Sequence, residues 1–414
     1  MKILIAIEEL RTGGAQIFGM RLAQALYEHG HEVYLYSHYA AYTNHELLRQ
    51  LAPNVPVVAF GLAVPGLDWL SLRAQGLLRR LGRPFPARER LIEKHLRRTL
   101  ERLKIDVLNS HMIKSDYVAT AAAIGAKPSV PVVITMHGCY EDFLHNTREP
   151  EVIVHARQAL QRAAGLIYLT DKNLEVFSVP GVRLLADIPH AQVYNGFSGK
   201  FSAVLPERSQ LGIAANALVF GMVARGIEQK GWAYAIQSFE TLSEQYPQAH
   251  LVLVGQSDDL SHLQKAHPHP RIHFVGFAAN PIDWVRLFDV GLLPSYFASE
   301  SLPNSIAEYL FCSVPVIATR IGEIPHMLEV PGHTELAGKL IAQNGRGLTN
   351  PDELTQAMED YMVRPQLLAS HRLLAQQCFD KFRMVHCVAA YEELFATCVS
   401  SSISTNDTAE KGRN

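Results

Sequence analysis

The sequence has little of what marks secreted, membrane-spanning or nucleic-acid-binding proteins. Its five cysteines in 414 residues are odd in number and include no C-x-x-C pair, so neither a disulfide framework nor a zinc site is indicated. No apolar run approaches the roughly 18 residues that span a bilayer, and the first one is too short for a signal peptide. The formal net charge of −2 excludes a uniformly basic nucleic-acid binder. We therefore expect a cytoplasmic protein without a nucleic-acid partner.

The length and the apolar content predict two folded domains. A domain has about 100–200 residues, so a chain of 414 residues, 48% of them hydrophobic, is too long for one. Short apolar runs such as Lys2 to Ile7 and Leu218 to Val223 alternate with amphipathic stretches, which is typical of βαβ units. The predicted fold class is α/β, with a doubly wound, Rossmann-like parallel sheet in each half. Such sheets bind ligands at the carboxyl ends of their strands.

A stretch that contains glycine, serine and proline marks the expected boundary between the halves. It runs from Gly196 to Gly212 and predicts a linker. We place an N-terminal domain at residues 1–198 and begin the C-terminal domain at residue 199. The polar, aperiodic residues 400–414 are expected to form a disordered tail.

Two glycines, Gly13 and Gly14, follow the first predicted strand and precede an amphipathic stretch from Ala15 to Glu28. Paired glycines let the backbone approach a ligand closely, and the free N–H groups of the following helix favour a phosphate. The G-x-G-x-x-G fingerprint of dinucleotide-binding domains is missing, which argues against an NAD-dependent dehydrogenase. The alternative is that the glycines only make the turn.

Two cations, Arg225 and Lys230, follow the first predicted strand of the second half. The neighbouring Gly226 and Gly231 let this loop fold back, and two cations at a strand's carboxyl end suit the adjacent charges of a diphosphate. The alternative is a solvated loop.

Two carboxylates, Glu300 and Glu308, flank a predicted helix start. Because Pro303 suits the first turn of a helix, Glu300 should lie in the preceding loop and Glu308 inside the helix. Carboxylates accept hydrogen bonds from vicinal hydroxyls, while helix N–H groups hold phosphate. The pair therefore suits a sugar and a ribose. The alternative is that Glu300 stabilises the helix electrostatically and Glu308 is an ordinary surface residue.

The segment from Trp69 to Lys104 departs from the average charge. Between Arg73 and Lys104 it has eleven basic and three acidic residues, a net charge of +8. Leucines and Trp69 interleave with these charges, as in helices that lie on an anionic membrane. The equally weighted alternative is a solvated helical face whose arginine stems cover apolar neighbours.

Three further candidates are weaker. His111 follows a predicted strand and either contacts an acceptor or closes the strand. Cys139 has no identifiable base partner, so packing is favoured over a nucleophilic role. A histidine cluster is interpreted as a surface loop in preference to a zinc site; it comprises His262, His267, His269 and His273.

The order of these motifs resembles the retaining glycosyltransferases of family 4, which have the GT-B fold of two Rossmann-like domains facing a central cleft. The specific part is the E-x7-E spacing of Glu300 and Glu308 with the upstream R-x4-K of Arg225 and Lys230. The resemblance covers nearly the whole chain; its other segments are Gly13-Gly14, Thr135 to Gly138, Tyr194 to Gly196, Gly322 to Pro325, and Phe382 to Met384 with Tyr391. It implies an acceptor-binding domain at 1–198, a nucleotide-sugar-binding domain at 199–377, and a helix at 378–399 that crosses back onto the N-terminal domain.

The resemblance also implies roles for single residues. Arg225 and Lys230 hold the donor diphosphate, and Glu300 contacts the transferred sugar. Glu308 binds the ribose and His137 lines the sugar pocket. The catalytic residues would be Arg225, Lys230, Glu300 and His137; the other donor-binding residues Gly13, Gly14, Ser301, Leu302 and Glu308; and the acceptor-binding residues His111 and Gln16.

The expected function is transfer of a sugar, with retention and without a metal or other cofactor, from a UDP- or GDP-sugar to a glycan or lipid-linked acceptor. Cell-surface polysaccharide or lipopolysaccharide biosynthesis is the expected pathway, and docking on the inner face of the cell membrane is a further hypothesis. The alternatives are a sugar-nucleotide epimerase of GT-B fold and a non-catalytic sugar-nucleotide-binding scaffold.

Overall fold

The computed structural model describes residues 1–11, 13–61, 66–80, 87–138, 150–178, 186, 188–298 and 300–411. The chain divides into two compact units. The first unit comprises Met1–Gly196 and Met384–Asn414, and the second comprises Phe197–Arg383.

The first unit contains a seven-stranded parallel sheet with strand order β3-β2-β1-β4-β5-β6-β7. Its strands are β1 (Lys2–Ile7), β2 (Glu32–Ser37), β3 (Val57–Ala59), β4 (Val107–His111), β5 (Val132–Met136), β6 (Gly165–Tyr168) and β7 (His190–Gln192). Within the described residues, its α-helices before the second unit are α1 (Gly14–Glu28), α2 (His45–Leu51), α3 (Leu67–Arg80), α4 (Ala87–Leu103), α5 (Ile113–Gly125) and α6 (Pro150–Arg162).

Strand β1 shows why these strands are continuous apolar runs. Ile3, Ile5 and Ile7 lie in one hydrophobic cluster, whereas Leu4 and Ala6 lie in another. Successive side chains of a strand point to opposite faces, so both faces of the sheet are covered and this strand is apolar on both.

The second unit contains a six-stranded parallel sheet with strand order β10-β9-β8-β11-β12-β13. Its strands are β8 (Leu218–Val223), β9 (Ala249–Val254), β10 (Ile272–Gly276), β11 (Val290–Leu293), β12 (Val316–Thr319) and β13 (Gly338–Ile341). Its α-helices are α7 (Trp232–Gln245), α8 (Asp258–Ala266), α9 (Ile282–Val285), α10 (Asn304–Phe311), α11 (Ile324–Leu328), α12 (Asp352–Val363) and α13 (Pro365–Cys378). The predicted α/β class with two Rossmann-like parallel sheets is confirmed.

The final helix, α14 (Met384–Lys411), belongs to the first unit. Its residues Val388, Tyr391 and Phe395 are buried in the cluster that also contains Ile3 and Ile5. The structure therefore differs from the expectation of a helix at 378–399 and a disordered tail from residue 400. Residues up to Cys378 belong to α13, and α14 continues through residue 411.

The basic segment from Trp69 to Lys104 lies mainly on α3 and α4, although its residues 81–86 are outside the described ranges. Helix α3 exposes Trp69, Leu70 and Leu77, which are 54%, 59% and 60% exposed. None of the helices in the described ranges combines the length and the apolar character that a bilayer span requires.

Candidate functional site

The loop after β8 is held against the segment after β11 by a glycine. Lys230 ends a short 3-10 helix, Glu228–Lys230, and Gly231 follows it with a φ of +83°. A Cβ on Gly231 would lie 2.1 Å from the carbonyl oxygen of Pro294. Only glycine adopts this left-handed conformation without strain and allows so close an approach. Lys230 is thereby brought to the residues that follow β11.

Lys230 and Glu300 form a buried ion pair at this edge of the second sheet. The Lys230 Nζ atom donates a hydrogen bond to Glu300 Oε2 at 2.5 Å, and the Ser295 hydroxyl donates to the same oxygen at 2.8 Å. Lys230 is 6% exposed and Glu300 is 8% exposed. Charges this deeply buried require partners. The structure therefore brings together two predicted site residues and adds Ser295, which the sequence analysis missed.

An aromatic ring links Lys230 with Arg225. The guanidinium carbon of Arg225 lies 5.5 Å from the centre of the Phe297 ring, and Lys230 Nζ lies 5.3 Å from it. Both distances are in the range of cation–π attraction. Because Arg225 is exposed while Lys230 is buried, the two cations differ in how readily they meet an anion. Phe297 was also missed by the sequence analysis.

The second predicted carboxylate, Glu308, lies on α10. This helix begins at Asn304, with Pro303 as its N-cap instead of in its first turn, and Glu308 is half-buried. Leu302, also half-buried, lies in the turn before the helix. The hydroxyl oxygen of Ser301 is buried and has no hydrogen-bond partner within the described part of the chain.

The loop after β12 supports the backbone around Glu300. Gly322 has a φ of +55°, and a Cβ there would lie 2.2 Å from the Glu300 carbonyl oxygen. The Glu323 amide donates to the Ser301 carbonyl at 3.0 Å. The predicted segment from Gly322 to Pro325 is therefore a backbone support for the acidic residue.

In the first unit, the glycine pair begins α1. Gly13 is the N-cap in extended conformation, and Gly14 is the first, exposed helical residue. Gln16 is buried and its amide donates to the sulfur of Met112 at 3.4 Å. The predicted arrangement of glycines at a strand-to-helix turn is present, and the Gln16 side chain points inward.

Two histidines on neighbouring strands are hydrogen-bonded at the carboxyl edge of the first sheet. His111 ends β4, and His137 directly follows β5. His111 Nδ1 and His137 Nε2 lie 2.7 Å apart, with the rings stacked at a centroid distance of 5.0 Å. His111 is fully buried and His137 half-buried. The structure thus brings His111 and His137 together. Because His111 is 0% exposed and both of its ring nitrogens are hydrogen-bonded inside the first unit, the predicted contact with an acceptor is wrong, and His111 closes the strand instead.

Burial determines the charge of these two rings. It lowers the pKa of His137 to about 4, and together with the neighbouring His137 it lowers the pKa of His111 well below its usual value. Removal from water disfavours the imidazolium form. Both histidines are therefore neutral at neutral pH.

Two known protein families match the chain, one in each unit. Residues 12–175 match the family described as Glycosyltransferase Family 4, and residues 217–363 match the family described as Glycosyl transferases group 1. The chain belongs to glycosyltransferase family 4. The family expected from the motifs is therefore confirmed.

Individual relatives of this family 4 chain are distant. It is 26% identical over 259 residues to the 2-deoxystreptamine glucosyltransferase of Streptomyces kanamyceticus, covering 56% of this chain and 66% of that one. It is 24% identical over 249 residues to the alpha-monoglucosyldiacylglycerol synthase of Acholeplasma laidlawii, covering 55% and 62%. The chain spans less than two thirds of the length of the curated relatives it matches.

Solved structures agree on the fold. The Anabaena protein HepE, crystallised in complex with UDP, superposes with a TM-score of 0.72 at 20% identity, covering 96% of this chain and all of that one. The GT-B fold is therefore confirmed for the family 4 chain.

The remaining candidates are the clustered histidines and Cys139. The clustered histidines of the family 4 chain do not converge: His267 contacts Glu240, His269 contacts Ser243, and His273 contacts His250. No group of three or more metal-ligating side chains occurs within the described ranges. Cys139 lies outside those ranges.

Proposed function

We propose that the chain is a retaining glycosyltransferase that moves a sugar from a nucleotide-diphosphate donor to a hydroxyl of a glycan or lipid-linked acceptor. The observation that carries the proposal is the buried Lys230–Glu300 pair, with the exposed Arg225 beside it, at the carboxyl edge of the second sheet. The complex of the HepE neighbour with UDP supports a nucleotide ligand.

The proposed reaction uses fixed charges and no metal. The bond between the anomeric carbon and the diphosphate oxygen breaks, and the acceptor oxygen bonds to the same face of the sugar. The acceptor's proton passes to the departing diphosphate. Arg225, Lys230 and the N-terminus of α10 supply positive charge where the negative charge develops. Glu300 accepts hydrogen bonds from the transferred sugar, and Glu308 from the ribose.

A thermal-shift panel of UDP-, GDP- and ADP-sugars tests the donor class. A ligand at about 100 times its dissociation constant adds about 2.7 kcal/mol of stability, so at least one donor should raise the melting temperature. Glu308→Ala should reduce that shift because the ribose hydroxyls lose the carboxylate that accepts their hydrogen bonds. Glu244→Ala, which replaces an exposed acid of the same unit, should not reduce it. If none of the sugar nucleotides shifts the melting temperature, the donor assignment is wrong.

A turnover assay separates a transferase from the alternatives. Free nucleoside diphosphate should appear only when an acceptor is supplied. Conversion of the sugar nucleotide without an acceptor would indicate an epimerase, and binding without either reaction would indicate a scaffold.

The exposed face of α3 supports a second part of the proposal, docking on an anionic membrane. The Arg73 guanidinium lies 4.1 Å from the ring centre of the exposed Trp69, so a cation and an aromatic ring share one surface. Aromatic and basic side chains on one helical face suit the boundary between lipid headgroups and acyl chains. In this proposal the protein is cytoplasmic and peripheral at the inner membrane face.

Vesicle sedimentation tests the membrane proposal. Each basic residue near an anionic surface contributes about 1 kcal/mol, so Arg73→Ala should lower partitioning onto anionic vesicles about fivefold. Arg346→Ala, an exposed arginine of the second unit, is the matched control. Equally poor sedimentation of the unsubstituted protein with neutral and anionic vesicles would contradict membrane docking.

A further inference from the structure

A chain of hydrogen bonds runs from the interior of the first unit to His137. We propose that Asn109 and His111 are positioning residues that hold His137 as its Nε2–H tautomer, so that its Nδ1 accepts a hydrogen bond from a hydroxyl of the sugar substrates. The directions of the hydrogen bonds along this chain carry the inference.

The chain starts at Asn109, whose amide orientation is fixed by a carbonyl. Asn109 Nδ2 lies 2.9 Å from the carbonyl oxygen of Val133 and 3.0 Å from the hydroxyl oxygen of Thr135. A carbonyl oxygen only accepts, so the Asn109 NH2 group must point toward Val133. The Asn109 Oδ1 atom is therefore directed at His111, which lies on the same face of β4 two residues later.

The next bond fixes the tautomer of His111. Its Nε2 atom lies 2.7 Å from Asn109 Oδ1. Since Oδ1 is an acceptor, Nε2 must carry the proton. His111 is fully buried and neutral, so its other nitrogen, Nδ1, has a lone pair.

The last hydrogen bond of the series fixes the tautomer of His137. His137 Nε2, which lies 2.7 Å from His111 Nδ1, must donate to it. The neutral His137 ring then has its lone pair on Nδ1, and no described residue forms a hydrogen bond with that atom. Phe18 packs edge-on against the ring at a centroid distance of 5.7 Å and fixes its orientation. The half-buried His137 therefore presents an acceptor of fixed direction.

The role of this acceptor rests on the proposed function. Sugar hydroxyls donate hydrogen bonds, and a neutral nitrogen of fixed direction selects where a hydroxyl lies. The opposite tautomer would present an N–H donor instead. Asn109 thus determines the hydrogen-bonding character of His137 without contacting the substrate.

Nitrogen-15 NMR of the full chain without substrate tests the tautomers. Two-bond correlations between ring protons and ring nitrogens show which nitrogen of each histidine carries the proton. We expect both His111 and His137 to be protonated at Nε2 and unprotonated at Nδ1. An Nδ1–H form of His137, or exchange between its two tautomers, overturns the proposal.

The Asn109→Asp variant should reverse the direction of the hydrogen bond between His111 and His137. A carboxylate there favours imidazolium at His111, which donates from both nitrogens. His137 Nε2 must then accept, so its proton moves to Nδ1, and kcat/KM should fall about tenfold from the misdirected hydrogen bond. Unchanged kinetics with a reversed tautomer overturn the proposal, and so does an unchanged His137 tautomer once the carbon-13 shift of the introduced carboxyl group shows that it is ionised.

Two further variants keep the test decisive if Asn109→Asp fails to fold. His111→Phe retains a stacked ring but removes the acceptor, so His137 should exchange between tautomers. Ser110→Ala, on the same strand, should leave both tautomers and the kinetics unchanged. The stacked pair Tyr117 and His155 of the first unit reports in the same spectra that the fold of this unit is intact.

The two proposals fail in different ways. If the protein has the Nε2–H tautomer at His137 but no transferase activity, only the proposed function is contradicted. An active transferase with the Nδ1–H tautomer contradicts only the positioning role.

Discussion

Replacing Lys230 with methionine should lower the free energy of unfolding of the second unit by about 3–5 kcal/mol, the range for breaking a buried ion pair. The Glu300 carboxylate is 8% exposed and receives a 2.5 Å hydrogen bond from Lys230 Nζ. Without the ammonium group it keeps only the Ser295 hydroxyl on the same oxygen. Urea unfolding followed by tryptophan fluorescence measures the loss, because Trp232 and Trp284 lie in this unit.

A double variant separates stability from chemistry. Lys230→Met combined with Glu300→Gln removes both charges, and the glutamine oxygen still accepts from Ser295. Most of the lost stability should return, whereas kcat/KM should stay at least about 100-fold below that of the unsubstituted protein, because the cation facing the diphosphate is absent. Recovery of activity in the double variant would contradict the proposed role of Lys230.

The exposed pair of Arg383 and Asp380 provides the control. Their side chains are 57% and 64% exposed at an N–O distance of 2.9 Å. Arg383→Met should cost less than about 1 kcal/mol, as for surface ion pairs. A Lys230→Met variant no less stable than Arg383→Met would show that the buried pair contributes nothing to folding.

The strands were predictable where both faces of a sheet are covered. Residues Lys2–Ile7 and Leu218–Val223 are apolar runs in the sequence and strands in the structure. The edge strand β13 gives no such signal, because Lys339 interrupts the short apolar run that follows Gly338. Edge strands are paired on one side only, so they need no continuous apolar run. The sequence signal is therefore weakest at the edge of the sheet.

The charged residues of the site could be predicted from the sequence, but the residues that contact and position them could not. Arg225, Lys230 and Glu300 follow strands that end at one edge of a parallel sheet. Ser295 and Phe297 contact these residues only because the segment after β11 folds back, which depends on Gly231. No spacing in the sequence encodes that close approach.

The histidine pair could have been inferred from register. His111 pairs with Thr135 across β4 and β5, so His137, two residues later, lies just past the same edge. Alternation also places Asn109 on the same face of β4 as His111. The hydrogen-bond directions could not have been inferred, because they depend on the Val133 carbonyl and on the burial of His111.

Gly231→Ala should lower kcat/KM about 100-fold, the effect expected when a catalytic group is displaced by about 1 Å. The Cβ of alanine would lie 2.1 Å from the Pro294 carbonyl oxygen, so either the loop of Lys230 or the segment of Ser295 must move. Lys230 would then lose its position relative to Glu300 and to the diphosphate. Steady-state kinetics with a saturating donor measures the effect.

Gly332→Ala is the control that separates the effect of the close approach between Gly231 and Pro294 from the effect of backbone strain. Gly332 has a φ of +79°, close to the +83° of Gly231, but a Cβ there would meet nothing within 4 Å. An alanine in the left-handed region costs about 1–2 kcal/mol in either variant, so both should lose similar stability from that source. Only Gly231→Ala should also lose activity. Equal kcat/KM in the two variants would show that the contact between Gly231 and Pro294 does not position Lys230 for catalysis.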